Sequence, residues 1–182
     1  MLADAPAFHT AIFDALCACL NLDRNAPAAA ALIHKAYAEP ESAPRPPLNR
    51  NVVYWTVLRD PAADPVATCY GGEGAAASRT PTVYLTVKYQ LILVCYGPAC
   101  EAYAQRIRAL LFLDGAGFPR RILREAGIYP VPDPPQPELL HEEAGSLWRR
   151  RADLTVSLRV RHEETAPARA GITVAPAVLV HR

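Results

Sequence analysis

The chain has 182 residues, 51% of them hydrophobic and 20% charged, so it is long enough for one domain with a substantial core and too apolar for overall disorder. A formal net charge of +1 gives no long-range field to hold nucleic acid or an anionic membrane, so such contacts would have to be local. No apolar run reaches the roughly 20 residues of a membrane-spanning helix, and five cysteines without a secretory leader favour reduced thiols and a cytoplasmic protein.

The first predicted element is an amphipathic helix over residues 7–20, because apolar side chains recur there at helical spacing. Its stripe consists of Phe8, Ile12, Phe13 and Leu16. Residues 32–37 fit either a short helix or a strand, since their propensities do not separate the two. The run EPESAPRPPLNRN, residues 39–51, holds too many prolines for a helix or a sheet ladder, so we expect an irregular connection.

Strand patterns dominate the middle of the chain. The segment NVVYWTVLRDPAADPVATCY, residues 51–70, predicts two strands joined by a hairpin-like connection. A glycine-rich loop at residues 71–78 leads into TPTVYLTVKYQLILVCY, residues 80–96, whose odd positions from Val83 onward are all apolar. The polar even positions are Thr82, Tyr84, Thr86, Lys88 and Gln90. Because Ile92 and Val94 continue that face, we expect one polar face in the first half and burial on both faces in the second.

After Gly97 and Pro98 the apolar period becomes helical, so a helix is predicted to begin near Cys100. A short basic helix, PRRILREAG, and an extended proline-rich crossing, YPVPDPPQPE, come next. The segment LWRRRADLTVSLRVRH, residues 147–162, alternates between apolar residues and a strongly basic face. Residues 172–180 are a weaker strand candidate, because Pro176 interrupts them.

Strands interrupted by helices, without strict alternation, predict an α+β fold with an antiparallel or mixed β-sheet and two main helices packed on one face. Residues 1–162 are expected to form a single domain. Residues 163–182 are expected to form a C-terminal extension, with a loop and a short strand or arm.

The cysteines and histidines supply no strong catalytic or metal-binding signature. Cys95 and Cys100 are five residues apart, unlike the closely spaced cysteines of redox or zinc pairs. His141 begins a His-Glu-Glu run, but the zinc-protease pattern needs a second histidine four residues along the same helix. We therefore expect structural cysteines, solvated loop charge and no cofactor. A small thiol- or metal-dependent enzyme using Cys95, Cys100 and His141 stays open as the alternative.

The basic residues near the C-terminal strand are the stronger candidates for a functional surface. They are Arg149, Arg150, Arg151, Arg159 and Arg161. Such a run is solvated, contacts acidic groups of another protein, or touches nucleic-acid phosphates, and the sequence leaves all three open. The guanidinium fork suits interfacial carboxylates, which favours a protein contact over a local nucleic-acid-binding module.

Taken in order, several segments resemble the phage neck and tail terminator family over about residues 33–160. They are the proline-rich connection carrying APRPPLNRNVVYWTV, the strand, turn and helix of VCYGPACEAYAQRIRALL, and the final strand LWRRRADLTVSLRV. The resemblance also includes the Arg45-Pro46 pair before the first strand and the glycine-rich loop. None of these is a catalytic signature, so the resemblance rests on pattern and order.

The resemblance implies a tail-terminator-like fold and a structural virion protein of a tailed bacteriophage, not an enzyme. Members form a ring, commonly a hexamer, that caps the tail tube and joins it to the head connector. The implied partners are copies of the same chain, a tail tube protein and connector or adaptor proteins, with DNA passing through the channel. The implied location is the virion neck, after assembly in the host cytoplasm, with no membrane contact. Candidates for subunit contacts or the channel wall are the five arginines named above together with Thr86, Lys88 and Gln90.

Overall fold

The computed structural model describes residues 6–36, 49–60, 66–70, 82–112, 118–144 and 147–165. Its helices are α1 (Pro6–Leu20), α2 (Pro27–Leu32), α3 (Cys100–Phe112) and α4 (Phe118–Glu125). Its strands are β1 (Ile33–Lys35), β2 (Val52–Arg59), β3 (Val66–Tyr70), β4 (Thr82–Tyr96), β5 (Ile128–Pro130), β6 (Glu138–Ala144) and β7 (Leu147–Thr165). The mixed sheet and the helices confirm the predicted α+β class.

The centre of the sheet is the long antiparallel pair of β4 and β7, from Thr82 opposite Thr165 to Tyr96 opposite Arg151. Strands β2 and β3 line the other edge of β4, and β5 and β6 line the other edge of β7. Every pairing is antiparallel except that of β1 with β2, which makes the sheet mixed. Each of the two central strands thus pairs on its other side with two shorter strands, one after the other.

Residues 51–70 contain the two predicted strands, but the hairpin-like connection predicted between them is wrong. Strands β2 and β3 both run antiparallel to β4, one after the other along the same edge. In the sequence six residues, 60–65, separate Arg59 from Val66, whereas only residues 87–88 separate their partners on β4, Tyr89 and Thr86. The intervening sequence includes Pro61 and Pro65, which cannot donate ladder hydrogen bonds, and this disfavours one continuous strand.

The core lies between one face of the sheet and the helices. Along β7 the predicted alternation is confirmed, with alternate residues from Ala152 to Val160 buried. The described odd positions of β4 from Val87 onward are buried as well, and α1 and α3 pack over them. The predicted burial of Ile92 and Val94 is wrong, because both are only half-buried on the face that the described helices leave uncovered.

Helix α1 contributes Phe8, Ile12 and Leu16 to this core, as its stripe predicted. Its last turn is held by α3, where Nε of Arg106 donates a hydrogen bond to the backbone oxygen of Cys19 over 2.7 Å. This bond satisfies a carbonyl that the end of a helix leaves without an intrahelical donor. The undecided stretch divides, because α2 ends at Leu32 and β1 begins at Ile33.

Several sequence predictions fall partly or wholly outside the described residues. They are the glycine-rich loop at 71–78, most of the irregular connection at 39–51 and the strand candidate at 172–180. Strand β7 continues to Thr165, past the domain limit predicted at residue 162. The division into a domain and a C-terminal extension stays a prediction.

Candidate functional site

The two surface patches predicted from separate parts of the sequence form one surface. In the register of β4 with β7, Thr86 faces Arg161, Lys88 faces Arg159 and Gln90 faces Ser157. These side chains lie on the sheet face opposite the helices, which we call the outer face. Arg159 and Arg161 are exposed, and Lys88 is half-buried. We call Lys88, Arg159 and Arg161 the basic end of this face.

The basic end contains two like charges directly opposite each other. Lys88 and Arg159 are cross-strand partners, and such a pair is destabilising in an antiparallel sheet. A carboxylate oxygen of Asp60 lies 3.9 Å from Nζ of Lys88 and offsets part of the repulsion. Among the described residues, the side chain of Arg159 makes no hydrogen bond or ion pair. An anionic group brought to this end would therefore be stabilised.

Two other candidate arginines are used inside the molecule, at the opposite end of the outer face. Arg151 forms a two-pronged hydrogen bond with Asp153, both N···O distances being 2.6 Å. The guanidinium carbons of Arg149 and Arg151 lie 5.0 and 5.8 Å from the ring centroid of Tyr96. Both distances fall within the range of a cation–π contact. Arg149 is buried, which is unusual for an arginine.

The hydroxyl of Tyr96 completes this group by donating a hydrogen bond to Glu142 of β6 over 2.8 Å. Glu142 also lies 3.4 Å from the guanidinium of Arg151. Burial and the hydrogen bond to Glu142 raise the pKa of Tyr96 to about 12. The hydrogen bond to Asp153 raises the pKa of Arg151. We call Tyr96, Glu142, Arg149, Arg151 and Asp153 the tyrosine–arginine cluster, and its role is to join β4, β6 and β7.

Arg150 differs from its two neighbours because successive residues of a strand point to opposite faces. It lies on the helix side, where its guanidinium is 3.7 Å from Glu101 in the first turn of α3. Three consecutive arginines therefore have different surroundings. None of them belongs to the basic end.

A hairpin that the sequence did not predict extends past the end of β4. Strand β4 stops at Tyr96, opposite Arg151, so residues 147–150 of β7 have residues 141–144 of β6 as their strand partner. One further backbone hydrogen bond, from the N–H of Gly97 to the oxygen of Arg150 over 3.3 Å, continues the ladder beyond β4. We call residues 138–144 and 147–150 the hairpin arm. Its exposed apolar side chains are Leu139 (51% exposed), Leu140 (42%), Leu147 (54%) and Trp148 (68%). The sequence signal for this hairpin is the pair Gly145-Ser146, which has the composition of a turn and stands between two strand-like runs. The proline-rich segment before it favoured an extended crossing instead.

The thiol and histidine candidates are not arranged for catalysis. Cys95 and Cys100 are fully buried, one at the end of β4 and one at the start of α3, as predicted. Burial raises the pKa of Cys95 to about 12, so its thiol stays protonated and unreactive near neutral pH. His141 is exposed in β6, which corrects its expected loop position.

In the part of the chain that the structure describes, no group of three or more histidine, cysteine, aspartate or glutamate residues is placed to hold a metal ion. None of the helices described there is long and apolar enough to cross a membrane.

Comparison with known proteins agrees with the resemblance seen in the sequence. The profile of a family described as phage neck terminator protein matches residues 10–178 of the 182. This match extends beyond residues 33–160 in both directions. No curated protein matches the chain. Because the family profile covers nearly the whole sequence, the chain belongs to the phage neck terminator family.

Proposed function

We propose that this chain forms a ring, commonly a hexamer, that caps the tail tube of a phage and joins it to the head connector. The observation that carries the proposal is the family match over residues 10–178, which indicates a structural protein of the virion neck. The proposed partners are other copies of the chain, the tail tube protein and connector or adaptor proteins. DNA would pass through the channel, and assembly would take place in the host cytoplasm.

The architecture supports a role in assembly. A closed ring built by head-to-tail contacts needs two different patches on each subunit. The outer face offers a long surface that the described helices leave uncovered, with Lys88, Arg159 and Arg161 at one end and the tyrosine–arginine cluster at the other. The buried, protonated Cys95 and the exposed His141 give the enzyme alternative no support.

Deletion of the gene from the phage tests the proposal. We expect particles with tails of unregulated length and heads that do not join to tails, and supply of the wild-type gene in trans should restore joined particles. Mass spectrometry of purified virions should identify the chain, and labelled antibody should bind at the neck. Normal tails joined to heads in the deletion phage would refute the proposed function.

A further inference from the structure

We propose that the hairpin arm of one subunit docks on the basic end of the outer face of a second copy of this chain. This inference rests on the proposed function, because it specifies how neighbouring subunits of a ring would contact each other. It also commits the arm to one partner, rather than to the tail tube or the connector.

The arm has the composition of a contact surface. Leu147 and Trp148 expose large apolar areas on the part of the hairpin that extends past β4, and Leu139 and Leu140 do so beside β7. Exposed aromatic side chains are enriched at the centres of protein interfaces. In addition, β6 is an edge strand among the strands that the structure describes, where it pairs with β7 alone. An edge strand with exposed leucines is a liability for a monomer, unless a partner covers it.

The arm is held in place before any partner arrives. Glu142 of the arm accepts the hydrogen bond from Tyr96 and pairs with Arg151, while Arg150 pairs with Glu101 of α3. These contacts fix both faces of the arm to the body of the domain. A preorganised arm loses little conformational entropy on docking, which raises affinity.

Charge complementarity selects the docking site. Among the described residues, the side chains of Glu138 and Glu143 of the arm make no hydrogen bond or ion pair, and the same holds for the side chain of Arg159 at the basic end. Exposed Leu58 and Tyr129 flank the basic end and offer apolar area for the arm. In this contact the acidic and apolar arm would meet a basic and partly apolar surface of the sheet. The incoming carboxylates would relieve the repulsion between Lys88 and Arg159.

The contact has to be between two molecules. Trp148 and Arg159 lie on the same continuous strand, β7, and eleven residues at ~3.3 Å each separate them by about 36 Å. Because β7 is held extended by its pairing with β4 from Arg151 to Thr165, it cannot fold the arm back onto its own basic end. The arm and the basic end are therefore two different patches on one subunit, as a heterologous ring contact requires.

Trp148 provides a built-in reporter. The chain has two tryptophans, and Trp55 is already buried at 3% exposure. Docking of the arm should move the emission of Trp148 to shorter wavelength as protein concentration rises, and sedimentation velocity should show the matching increase in mass. Because ion pairs contribute, added salt should weaken association. Trp148→Phe should remove the emission change.

Charge reversal gives the decisive experiment. Glu138→Arg with Glu143→Arg makes the arm basic, and Arg159→Glu with Arg161→Glu makes the basic end acidic. Each variant alone should associate at least roughly tenfold more weakly than the wild type, because its two patches repel. Mixing the two variants should restore association, since every arm then meets an oppositely charged end. Restoration by mixing shows that both variants are folded.

The control variants lie at an exposed position of α3, on the helix side of the sheet and about two turns beyond Glu101. Ala109→Glu and Ala109→Arg should leave association unchanged. The proposal is overturned if the mixture of the two variants fails to restore association. It is also overturned if the emission of Trp148 stays constant up to ~1 mM protein, a concentration at which even very weak contacts form. A basic-end variant that loses only DNA binding, or an arm variant that loses only binding to purified tails, also overturns it. A ring that survives the arm variants refutes this contact and leaves the proposed function standing.

Discussion

Replacement of Gly97 by alanine tests how the chain turns from β4 into α3. The φ angle of Gly97 is +100°, a conformation that residues with a Cβ rarely adopt. An added Cβ would lie 2.6 Å from the backbone oxygen of Arg50 and 2.7 Å from Oδ1 of Asn51. The same Oδ1 accepts a hydrogen bond from the backbone N–H of Ala99 over 2.9 Å, so displacing Asn51 breaks a contact that holds the turn.

Two destabilising effects add at this position. A left-handed backbone conformation is less stable by ~1–2 kcal/mol for a residue with a Cβ. Forcing extra atoms into a packed site destabilises the folded protein by a further ~1–3 kcal/mol. The obstacles are backbone and a hydrogen-bonded side chain, so we expect the upper part of the sum, ~3–5 kcal/mol. Gly127→Ala is the matched control: its φ is +72°, but the nearest atom, the backbone oxygen of Arg161, is 3.3 Å away. There we expect ~1–2 kcal/mol.

Urea unfolding followed by circular dichroism measures the loss of unfolding free energy in both variants. Equal dependence of this free energy on urea concentration would confirm that the compactness of the folded and unfolded states has not changed. A total stability of ~5–15 kcal/mol is typical, so Gly97→Ala should move the midpoint far toward zero urea. The reasoning would be refuted if Gly97→Ala destabilised the protein no more than Gly127→Ala. Equality would mean that the turn relaxes around the methyl group.

Three further predictions concern the core and the buried titratable groups. Leu154→Ala, at a fully buried position of β7, should lower the free energy of unfolding by ~2–5 kcal/mol, whereas Thr155→Ala on the outer face should change it by less than ~0.5 kcal/mol in the same urea assay. A thiol reagent at pH 8 should label Cys95 only after unfolding, because burial raises the pKa of Cys95 to about 12, and rapid labelling of the native protein would contradict this. The raised pKa of Tyr96 means that the unfolded chain loses this proton first, so stability should fall as pH rises from about 10 to 12, and identical falls in wild type and Tyr96→Phe would contradict the assignment.

Local pattern was enough to predict the faces of the two central strands. Alternation with a period of two assigns each residue of β7 to one face without knowledge of its neighbours, so the buried side from Ala152 to Val160 followed directly. It did not predict that Lys88 would lie opposite Arg159, because register between strands 71 residues apart is a non-local property. The basic end could therefore be predicted only as two separate patches.

The arginines show the same limit at the level of single side chains. From the sequence, Arg149, Arg150 and Arg151 formed one charge run with three open roles. In the structure they are placed by strand parity and by partners from elsewhere: Tyr96 beside two of them, and Glu101 of α3 beside Arg150. Those partners lie about 50 residues away in the chain, which no window of the sequence contains.

The length of β7 has a structural consequence for assembly. The core side chains described along β7 occupy its middle, from Ala152 to Val160, whereas the strand itself runs from Leu147 to Thr165 and is much longer than most strands of small domains. The residues before this middle carry the hairpin arm, and Arg159 and Arg161 near its other end carry the basic end. Because one hydrogen-bonded strand joins the two patches, their separation and relative direction are set by the twist of the sheet rather than by a flexible linker. In a ring with that contact, the same twist would set the angle between neighbouring subunits and hence how many of them close the circle.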